Sequence, residues 1–320
     1  MTLFDENNQN ANNGAPEPAE LPSAPVPVES NAPAFADSPI GDPFLYGATH
    51  PQPNIPISAL PLDLQIPWSW GNFTCFIFYI AVSILVGPSL VALFFLPHGK
   101  SFTNATEFQQ YILSKPGFVV ASTVLQGALL LLFLYVSLKV IYGAPVFWRS
   151  LGWRKLNPQN LKAPVKPWLY LALGCGLSVL VMVGTIKLKP PEHAPIQDIL
   201  KYPGTALAAM AMAVLVAPIV EETVFRGYLY PLFAKSLGMI PSIVITGTLF
   251  GLMHGYQLGW AWGLVALLTG VGIIFTVARA RSETVFASFL MHLGYNSTIA
   301  IISTLGLIAT KYMKIPPPHH

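Results

Sequence analysis

The residues with the clearest capacity for chemistry occur in three short motifs, each embedded in otherwise apolar sequence. A charged side chain at the centre of a bilayer costs about 2.5–3.5 kcal/mol on insertion scales, so such residues are rare there unless they face one another. Carboxylates, imidazoles and an amide together provide a base for water and donors for an oxyanion, which is the chemistry of hydrolysis. The motifs are Glu221-Glu222-Thr223-Val224-Phe225-Arg226, Phe250-Gly251-Leu252-Met253-His254 and His292-Leu293-Gly294-Tyr295-Asn296.

The two adjacent carboxylates of the first motif have different expected partners. Glu222 and Arg226 are four residues apart, the helical spacing at which an ion pair forms on one face. Glu221 is offset by about 100° around the helix axis and projects towards another face. The pattern predicts that Glu222 and Arg226 neutralise each other while Glu221 stays free to act as a general base or acid. A buried salt bridge that only fixes helix packing also explains Glu222 and Arg226, but it leaves Glu221 unexplained.

The two histidine motifs support one another. A single His254 on an apolar helix is more often a satisfied core residue than a catalytic one, and Phe250 shares its helical face. His292 and Asn296 lie four residues apart on another apolar segment, so both side chains point into the same space. An imidazole and an amide that project together can hydrogen-bond a developing oxyanion. We therefore expect His254, His292 and Asn296 to meet Glu221 around one cavity.

Other protease architectures fit the sequence poorly. There is no His-Glu-x-x-His zinc helix and no Gly-x-Ser-x-Gly nucleophile elbow. The two cysteines, Cys75 and Cys175, both lie in apolar runs, and we expect them to be packed core thiols. Two cysteines at this spacing form neither a disulfide framework nor a Cys-x-x-Cys metal site.

The elements that must position these residues are membrane helices. The chain is 53% hydrophobic and 10% charged, whereas soluble domains carry about 25% charged residues. Apolar runs long enough to cross about 30 Å of hydrocarbon follow one another through the chain. The predicted fold is an all-α polytopic membrane helix bundle with an intramembrane polar cavity. Seven segments are predicted, at 72–96, 117–142, 168–187, 205–234, 241–257, 260–278 and 284–308.

The domain organisation follows from changes in composition. Residues 1–66 are rich in Pro and acidic residues and lack any period, which predicts a disordered tail. Residues 67–204 hold the first transmembrane helices and a basic loop. A catalytic core at 205–308 and a C-terminal tail at 309–320 complete the chain.

Charge distribution predicts location and orientation. Eight of the 14 acidic residues precede residue 64, and no Lys or Arg precedes Lys100. A basic remainder in a membrane protein indicates loops that face an anionic leaflet rather than nucleic acid. The loops on one side carry nine Lys and Arg and those on the other carry seven, which favours a cytoplasmic N-terminus. The expected location is a bacterial inner (cytoplasmic) membrane. The basic, aromatic stretch 150–154 and the pair Trp68 and Trp70 are expected at the membrane interface.

Taken in order, the three motifs resemble the signatures of the CPBP family, the CAAX protease and bacteriocin-processing (Abi) intramembrane proteases, which include the type II CAAX prenyl endopeptidases. Those signatures are Glu-Glu-x-x-x-Arg, Phe-x-x-x-His and His-x-x-x-Asn, and Phe225-Arg226-Gly227 completes the first in the usual way. The ordered set is specific, although each motif alone is weak. The resemblance covers 205–305, about a third of the chain.

The resemblance implies roles for four catalytic positions. Glu221 and His254 would bind and activate water, while His292 and Asn296 would stabilise the oxyanion. The family has been described both as metal-dependent and as a glutamate-type hydrolase. No cofactor is favoured, but zinc held by Glu221, His254 and His292 in a metalloprotease-like site is the alternative.

The resemblance also implies supporting residues and a substrate class. Glu222 and Arg226 would support the site, and Phe250 would pack beside it. The expected function is endopeptidase cleavage of a membrane-associated peptide or protein, lipidated or not, within the lipid bilayer. Two other classes stay open: a non-catalytic membrane scaffold, immunity or maturation factor of the same family, and a proton-coupled transporter, because intramembrane Glu and His also serve as proton relays.

Overall fold

The computed structural model of the chain describes residues 61–97, 99, 101–160, 162–188 and 193–312. All regular elements in these ranges are helical, which confirms the predicted all-α class. A 3₁₀ turn at Leu62–Leu64 comes first, and π-helical segments at Val136–Ile141 and Thr223–Leu229 extend or join other helices. The α-helices are α1 (Trp70–Phe94), α2 (Ala105–Leu113), α3 (Pro116–Tyr135), α4 (Phe147–Ser150), α5 (Pro167–Thr185), α6 (Pro195–Leu200), α7 (Pro203–Leu215), α8 (Ala217–Glu222), α9 (Tyr230–Leu237), α10 (Met239–Met253), α11 (Trp262–Ser282) and α12 (Val285–Tyr312).

Six helical runs in the described ranges are long and apolar enough to cross a membrane, as expected for a polytopic bundle. The fifth predicted segment, at 241–257, is not among these six and corresponds to α10, which has 15 residues. At 1.5 Å per residue α10 is about 22 Å long, shorter than the ~30 Å hydrocarbon core. The six are Trp70–Phe94, Pro116–Ile141, Pro167–Thr185, Pro203–Leu237, Trp262–Ser282 and Val285–Ala309.

Glycines permit a close contact between α5 and α12. A Cβ added at Gly174 would overlap the carbonyl oxygen of Met291, and one at Gly294 would overlap that of Leu171. In a membrane, small residues let helix backbones approach this closely and gain packing energy. Since Gly294 lies between His292 and Asn296, this contact fixes the part of α12 that carries both candidate oxyanion donors.

The segment before α1 is folded, and its folding corrects the predicted boundary of the tail. Residues 1–60 lie outside the described residues, but 61–66, predicted as part of the tail, pack against the bundle. Leu64 and Ile66 are buried, and Asp63 Oδ2 lies 2.6 Å from Nη1 of the buried Arg279. A segment whose overall composition disfavours folding can still be ordered locally where one of its charged side chains forms a buried ion pair.

Trp68 is likewise not the interfacial anchor that the sequence predicts. Its side chain is fully buried. The indole Nε1–H donates to the carbonyl oxygen of Tyr228 at 3.1 Å, and the two rings stack with centroids 5.4 Å apart. Tyr228 also donates its hydroxyl hydrogen to Asn72 on α1. Trp70, by contrast, is 41% exposed.

The connections between helices group at two ends of the bundle because successive spans run in alternate directions. The basic end comprises the segment before α1, the α3–α5 connection, and the α9–α10 and α11–α12 turns. There, Asn160 donates to the carbonyl oxygen of Arg281 at 2.8 Å. The cavity end comprises the α1–α3, α5–α7 and α10–α11 connections. There, the backbone N–H of Ile196 donates to the carbonyl oxygen of Gln257 at 3.2 Å.

Candidate active site

The span Pro203–Leu237 is irregular on both sides of its two carboxylates. Before them, α7 stops at Leu215 and α8 starts at Ala217, where Pro218 lacks the N–H that a continuous helix needs. After them, the wider π-helical turn Thr223–Leu229 begins at once, and all seven of its residues are buried. Irregular backbone at membrane depth is tolerated only where it is buried in protein or lines a cavity. Such π-helical turns are frequent at functional sites.

Glu222 and Arg226 form the ion pair that their spacing predicts. Arg226 Nη1 donates to Glu222 Oε1 at 2.9 Å, and both side chains are fully buried. The other guanidinium nitrogens donate to α11: Nε to Thr276 Oγ1 at 3.2 Å and Nη2 to the carbonyl oxygen of Gly272 at 2.7 Å. The guanidinium also faces the Phe250 ring at 4.7 Å from its centroid. Arg226 therefore joins its own span to two further helices.

His292 extends this network to α12. Its Nδ1 lies 3.0 Å from Glu222 Oε1, while its Nε2 lies 3.9 Å from Glu221 Oε2. A carboxylate that is paired with an arginine accepts hydrogen bonds only, so the proton of this contact resides on His292 Nδ1. The Nε2 edge of the ring therefore faces Glu221.

Glu221 differs from Glu222 in its exposure and in its contact with the cavity. Its side chain is 20% exposed and lines the cavity, whereas that of Glu222 is fully buried and paired with Arg226. Neither Glu221 Oε2 nor Glu222 Oε2 has a hydrogen-bond partner among the described residues. Of the two carboxylates, Glu221 is therefore the one that a substrate in the cavity can reach.

His254 directly follows α10, and one hydrogen bond fixes the orientation of its ring. Nδ1 lies 2.8 Å from the carbonyl oxygen of Phe250. A carbonyl oxygen only accepts, so Nδ1 carries the hydrogen and Nε2 keeps a lone pair. The Phe250 ring contacts both histidine rings, with centroids 4.9 Å from His254 and 5.7 Å from His292. The Phe250 ring thus contacts both imidazole rings.

Asn296 contacts the break in the Glu221 span. Its Nδ2 donates to the carbonyl oxygen of Ala213, one turn before the break, at 2.7 Å. An amide nitrogen carries two hydrogens, so the second N–H of Asn296 is left for another acceptor. This bond also ties α12 to α7.

One cavity brings the predicted residues together. Its volume is about 590 Å³, within the usual range of ligand sites. Glu222 and Arg226 lie behind its wall, without exposure to it. The wall itself contains the remaining predicted residues, which are Glu221, Phe250, His254, His292 and Asn296.

Most of the remaining cavity wall is apolar and leads from these residues to the cavity end. Side chains of Met182 and Leu264 line it, as do those of Ile199 on α6 and Leu258 after α10. Gln257 is a polar exception, exposed one turn beyond His254. The polar residues therefore lie at the inner end of the cavity. The apolar part that leads to them, lined by Met182, Ile199, Leu258 and Leu264, is called the vestibule.

The zinc alternative finds no ready set of donors in the part of the chain that the structure describes. No three His, Cys, Asp or Glu side chains there are placed so that they could hold one metal ion. The description as metalloprotease-like therefore has no support in the donor set, and the metal dependence of the protein stays a prediction.

Several residues that contact the site could not be identified from the sequence. Thr276 and Gly272 hold Arg226 from 50 and 46 residues away. Ala213 contributes only a carbonyl group. Trp153 donates Nε1–H to Thr223 Oγ1, beside Glu222, at 3.1 Å. Local spacing along a helix cannot reveal partners that tertiary packing brings in.

Comparison with known proteins agrees with this geometry. Residues 203–298 match the family model described as Type II CAAX prenyl endopeptidase Rce1-like. No curated protein and no solved structure matches the chain significantly. The matched region includes the predicted site residues Glu221, Glu222, Arg226, Phe250, His254, His292 and Asn296. Through this region, the chain is similar to the type II CAAX prenyl endopeptidases of the Rce1-like family.

Proposed function

We propose that this protein is an intramembrane endopeptidase that hydrolyses a peptide bond of a membrane-associated peptide or protein. The observation that carries the proposal is that Glu221, whose Oε2 has no hydrogen-bond partner among the described residues, shares one cavity with His254, His292 and Asn296. A base, a second imidazole and amide donors around one space are what peptide hydrolysis requires.

Water activation falls to Glu221 and His254. His254 Nε2 accepts a hydrogen bond from the water, since its Nδ1 is held by Phe250. Glu221 removes a proton as the water oxygen bonds to the carbonyl carbon. When the tetrahedral intermediate collapses, the C–N bond breaks and the proton on Glu221 passes to the leaving amine.

Oxyanion stabilisation falls to His292 and Asn296. The Nε2 edge of His292 faces Glu221, and a hydrogen on Nε2 would donate to the oxyanion together with the second N–H of Asn296. Donors aimed at the position where charge develops typically contribute about 10²- to 10³-fold to the rate.

The apolar vestibule determines the class of substrate. A polar segment would lose its hydration there without gaining partners, whereas apolar groups gain by burial. The segment that enters is therefore apolar, either through its own side chains or through an attached lipid.

The orientation that we propose places the basic end in the cytoplasm of a bacterium, with the protein in the inner membrane. The cavity end then faces the opposite side. Single cysteines at Lys162→Cys (basic end) and Lys201→Cys (cavity end), in a background with Cys75→Ser and Cys175→Ser, test this. An impermeant maleimide should label Lys201→Cys in intact cells and Lys162→Cys only after lysis. The reverse pattern would establish the inverted orientation.

The catalytic proposal is tested by comparing new peptide N-termini in membranes from cells that express the wild type or Glu221→Gln. The matched control is Glu283→Gln, which makes the same change at an exposed turn. We expect a set of cleavage sites that is present with the wild type and the control and missing with Glu221→Gln. Identical cleavage in all three would favour the scaffold alternative.

A further inference from the structure

The stretch Leu151–Arg154 belongs to the loop 150–154 that was predicted at the membrane interface, and it packs against the helices that carry the candidate site. Leu151 and Gly152 are buried, and Trp153 is half-buried. Arg154 alone of the four is exposed. The segment belongs to the basic end, on the far side of the site from the cavity mouth.

This segment contacts the π-helical turn that follows Glu222. Trp153 Nε1–H donates to Thr223 Oγ1 at 3.1 Å, and Thr223 donates its hydroxyl hydrogen to the carbonyl oxygen of Ile219 at 2.6 Å. The carbonyl oxygen of Leu151 lies 2.8 Å from the point that a Cβ on Gly227 would occupy. Only glycine permits so close an approach, so backbone packs on backbone next to Arg226.

The same four residues contact the start of α12. Gly152 accepts the N–H of Val285 at 2.9 Å. Arg154 N–H donates to Thr284 Oγ1 at 3.2 Å, and the Thr284 hydroxyl donates to the carbonyl oxygen of Arg154 at 2.6 Å. The register at which α12 leaves the basic end is therefore fixed by one backbone hydrogen bond and by two hydrogen bonds of the Thr284 hydroxyl to this segment.

Trp153 touches both helices at once. Besides its bond to Thr223, its ring packs against Phe289 with centroids 5.4 Å apart. Thr223 directly follows Glu222, and Phe289 precedes His292 by three residues, about one helical turn. Trp153 thus lies between the two helices whose side chains meet at the 3.0 Å contact of His292 with Glu222.

We propose that Leu151–Arg154 is a brace that sets the Glu222–His292 contact, with Trp153 as its positioning residue. Trp153 acts through the Thr223 hydroxyl on one helix and through Phe289 on the other. The catalytic consequence rests on the proposed function, but the contact itself is observable without any substrate. Displacements of about 1 Å in such a site are enough to reduce turnover strongly.

The first test reads His292 directly. Protein labelled with ¹⁵N at histidine side chains is purified in detergent, and the His292 ring signals are assigned by their loss in His292→Gln. Trp153→Phe removes the N–H and keeps an aromatic ring, while Thr223→Val removes the hydroxyl and keeps the shape. The matched control is Trp168→Phe, an exposed tryptophan on α5.

Both variants should shift the His292 ring signals, and the double variant should shift them no further than the larger single change. Such non-additivity is the mark of residues that act through one shared contact. Trp168→Phe should leave the signals in place. Unchanged His292 signals in folded Trp153→Phe and Thr223→Val would overturn the brace. If Trp153→Phe does not fold, Thr223→Val decides alone.

The second test measures turnover on a peptide taken from a cleavage site found in the membrane comparison. We expect kcat of Trp153→Phe to fall about 10- to 100-fold, with KM within about twofold of the wild type, since substrate does not touch the brace. A rise in KM at constant kcat would contradict a positioning role. Shifted His292 signals in a protein without proteolysis would refute the proposed function and leave the brace intact.

Discussion

The two ends of the bundle place their polar groups in different surroundings. At the basic end, the main polar contacts are buried inside the protein: Asp63 pairs with Arg279, and Trp68 donates to Tyr228, although two other nitrogens of Arg279 have no hydrogen-bond partner among the described residues. Towards the cavity end, Glu221 lines the cavity and its Oε2 has no hydrogen-bond partner among the described residues, and Gln257 is exposed beside the cavity. The first arrangement provides rigidity, and the second leaves groups available for a substrate.

Neighbouring carboxylates show the same contrast at the scale of one residue. Glu222 is fully buried and contacts Arg226 and His292. Glu221 is partly exposed and faces the cavity. A helix that turns about 100° per residue lets one sequence position serve the framework while the next serves the chemistry. Stability should therefore depend on one side of this helix and activity on the other.

The largest loss of stability should follow Arg226→Ala. The substitution leaves Glu222 buried without its counter-charge, which costs about 3–5 kcal/mol of unfolding free energy. Denaturation by SDS in mixed micelles, followed by tryptophan fluorescence, measures it. Arg149→Ala, at an exposed position of the basic end, should stay within about 0.5 kcal/mol of the wild type. Equal stability of the two variants would remove the contrast between framework and surface charges.

A smaller loss is expected for Asp63→Asn at the basic end. The amide can still accept from Arg279 but loses its charge, and hydrogen bonds to charged groups contribute about 1.5–3 kcal/mol. The same denaturation assay applies, and proteolysis, where measurable, should change far less than stability. A variant with normal stability would show that the segment before α1 rests on the bundle without stabilising it.

Gly294→Ala tests the close contact of α5 with α12. Its new methyl group would meet the carbonyl oxygen of Leu171, and overpacking of this kind costs about 1–3 kcal/mol. Gly306→Ala on the same helix, where nothing lies within 4 Å of the added carbon, serves as control. A thermal melt that falls for both variants alike would point to helix backbone effects instead of packing.

The smallest effect should come from removing residues 1–60. Their composition gives them little apolar surface to bury, so the melting temperature in detergent should be nearly unchanged. Extending the deletion to residue 66 removes Asp63, Leu64 and Ile66 and should lower it clearly. If the shorter deletion is as damaging as the longer one, the tail itself contributes to stability.

The sequence predicted the parts of this site that depend on local helical spacing. The pairs Glu222–Arg226 and Phe250–His254 lie four residues apart and are in contact. His292 and Asn296, also four apart, line the same cavity. In an apolar helix, such spacing determines which side chains share a face, whatever surrounds the helix.

The sequence did not predict the contacts that join distant segments. Trp153 and Thr223 are 70 residues apart, and Asp63 and Arg279 are 216 apart. Tryptophans near helix ends favour the interface on average, so Trp68 and Trp153 were expected there. Their burial depends on which carbonyl or hydroxyl group the fold places beside them, and an almost uniformly apolar helix contains no periodicity that would disclose this.

The most direct test of the account is the rate of peptide cleavage by purified protein in liposomes after Glu221→Gln. The substitution keeps the shape of the side chain and removes the base, and general acid–base catalysis contributes about 10²- to 10⁴-fold. We predict a loss of that size, with SDS denaturation unchanged and with Glu283→Gln as active as the wild type. Full cleavage by folded Glu221→Gln would contradict the assignment of Glu221 as the catalytic base.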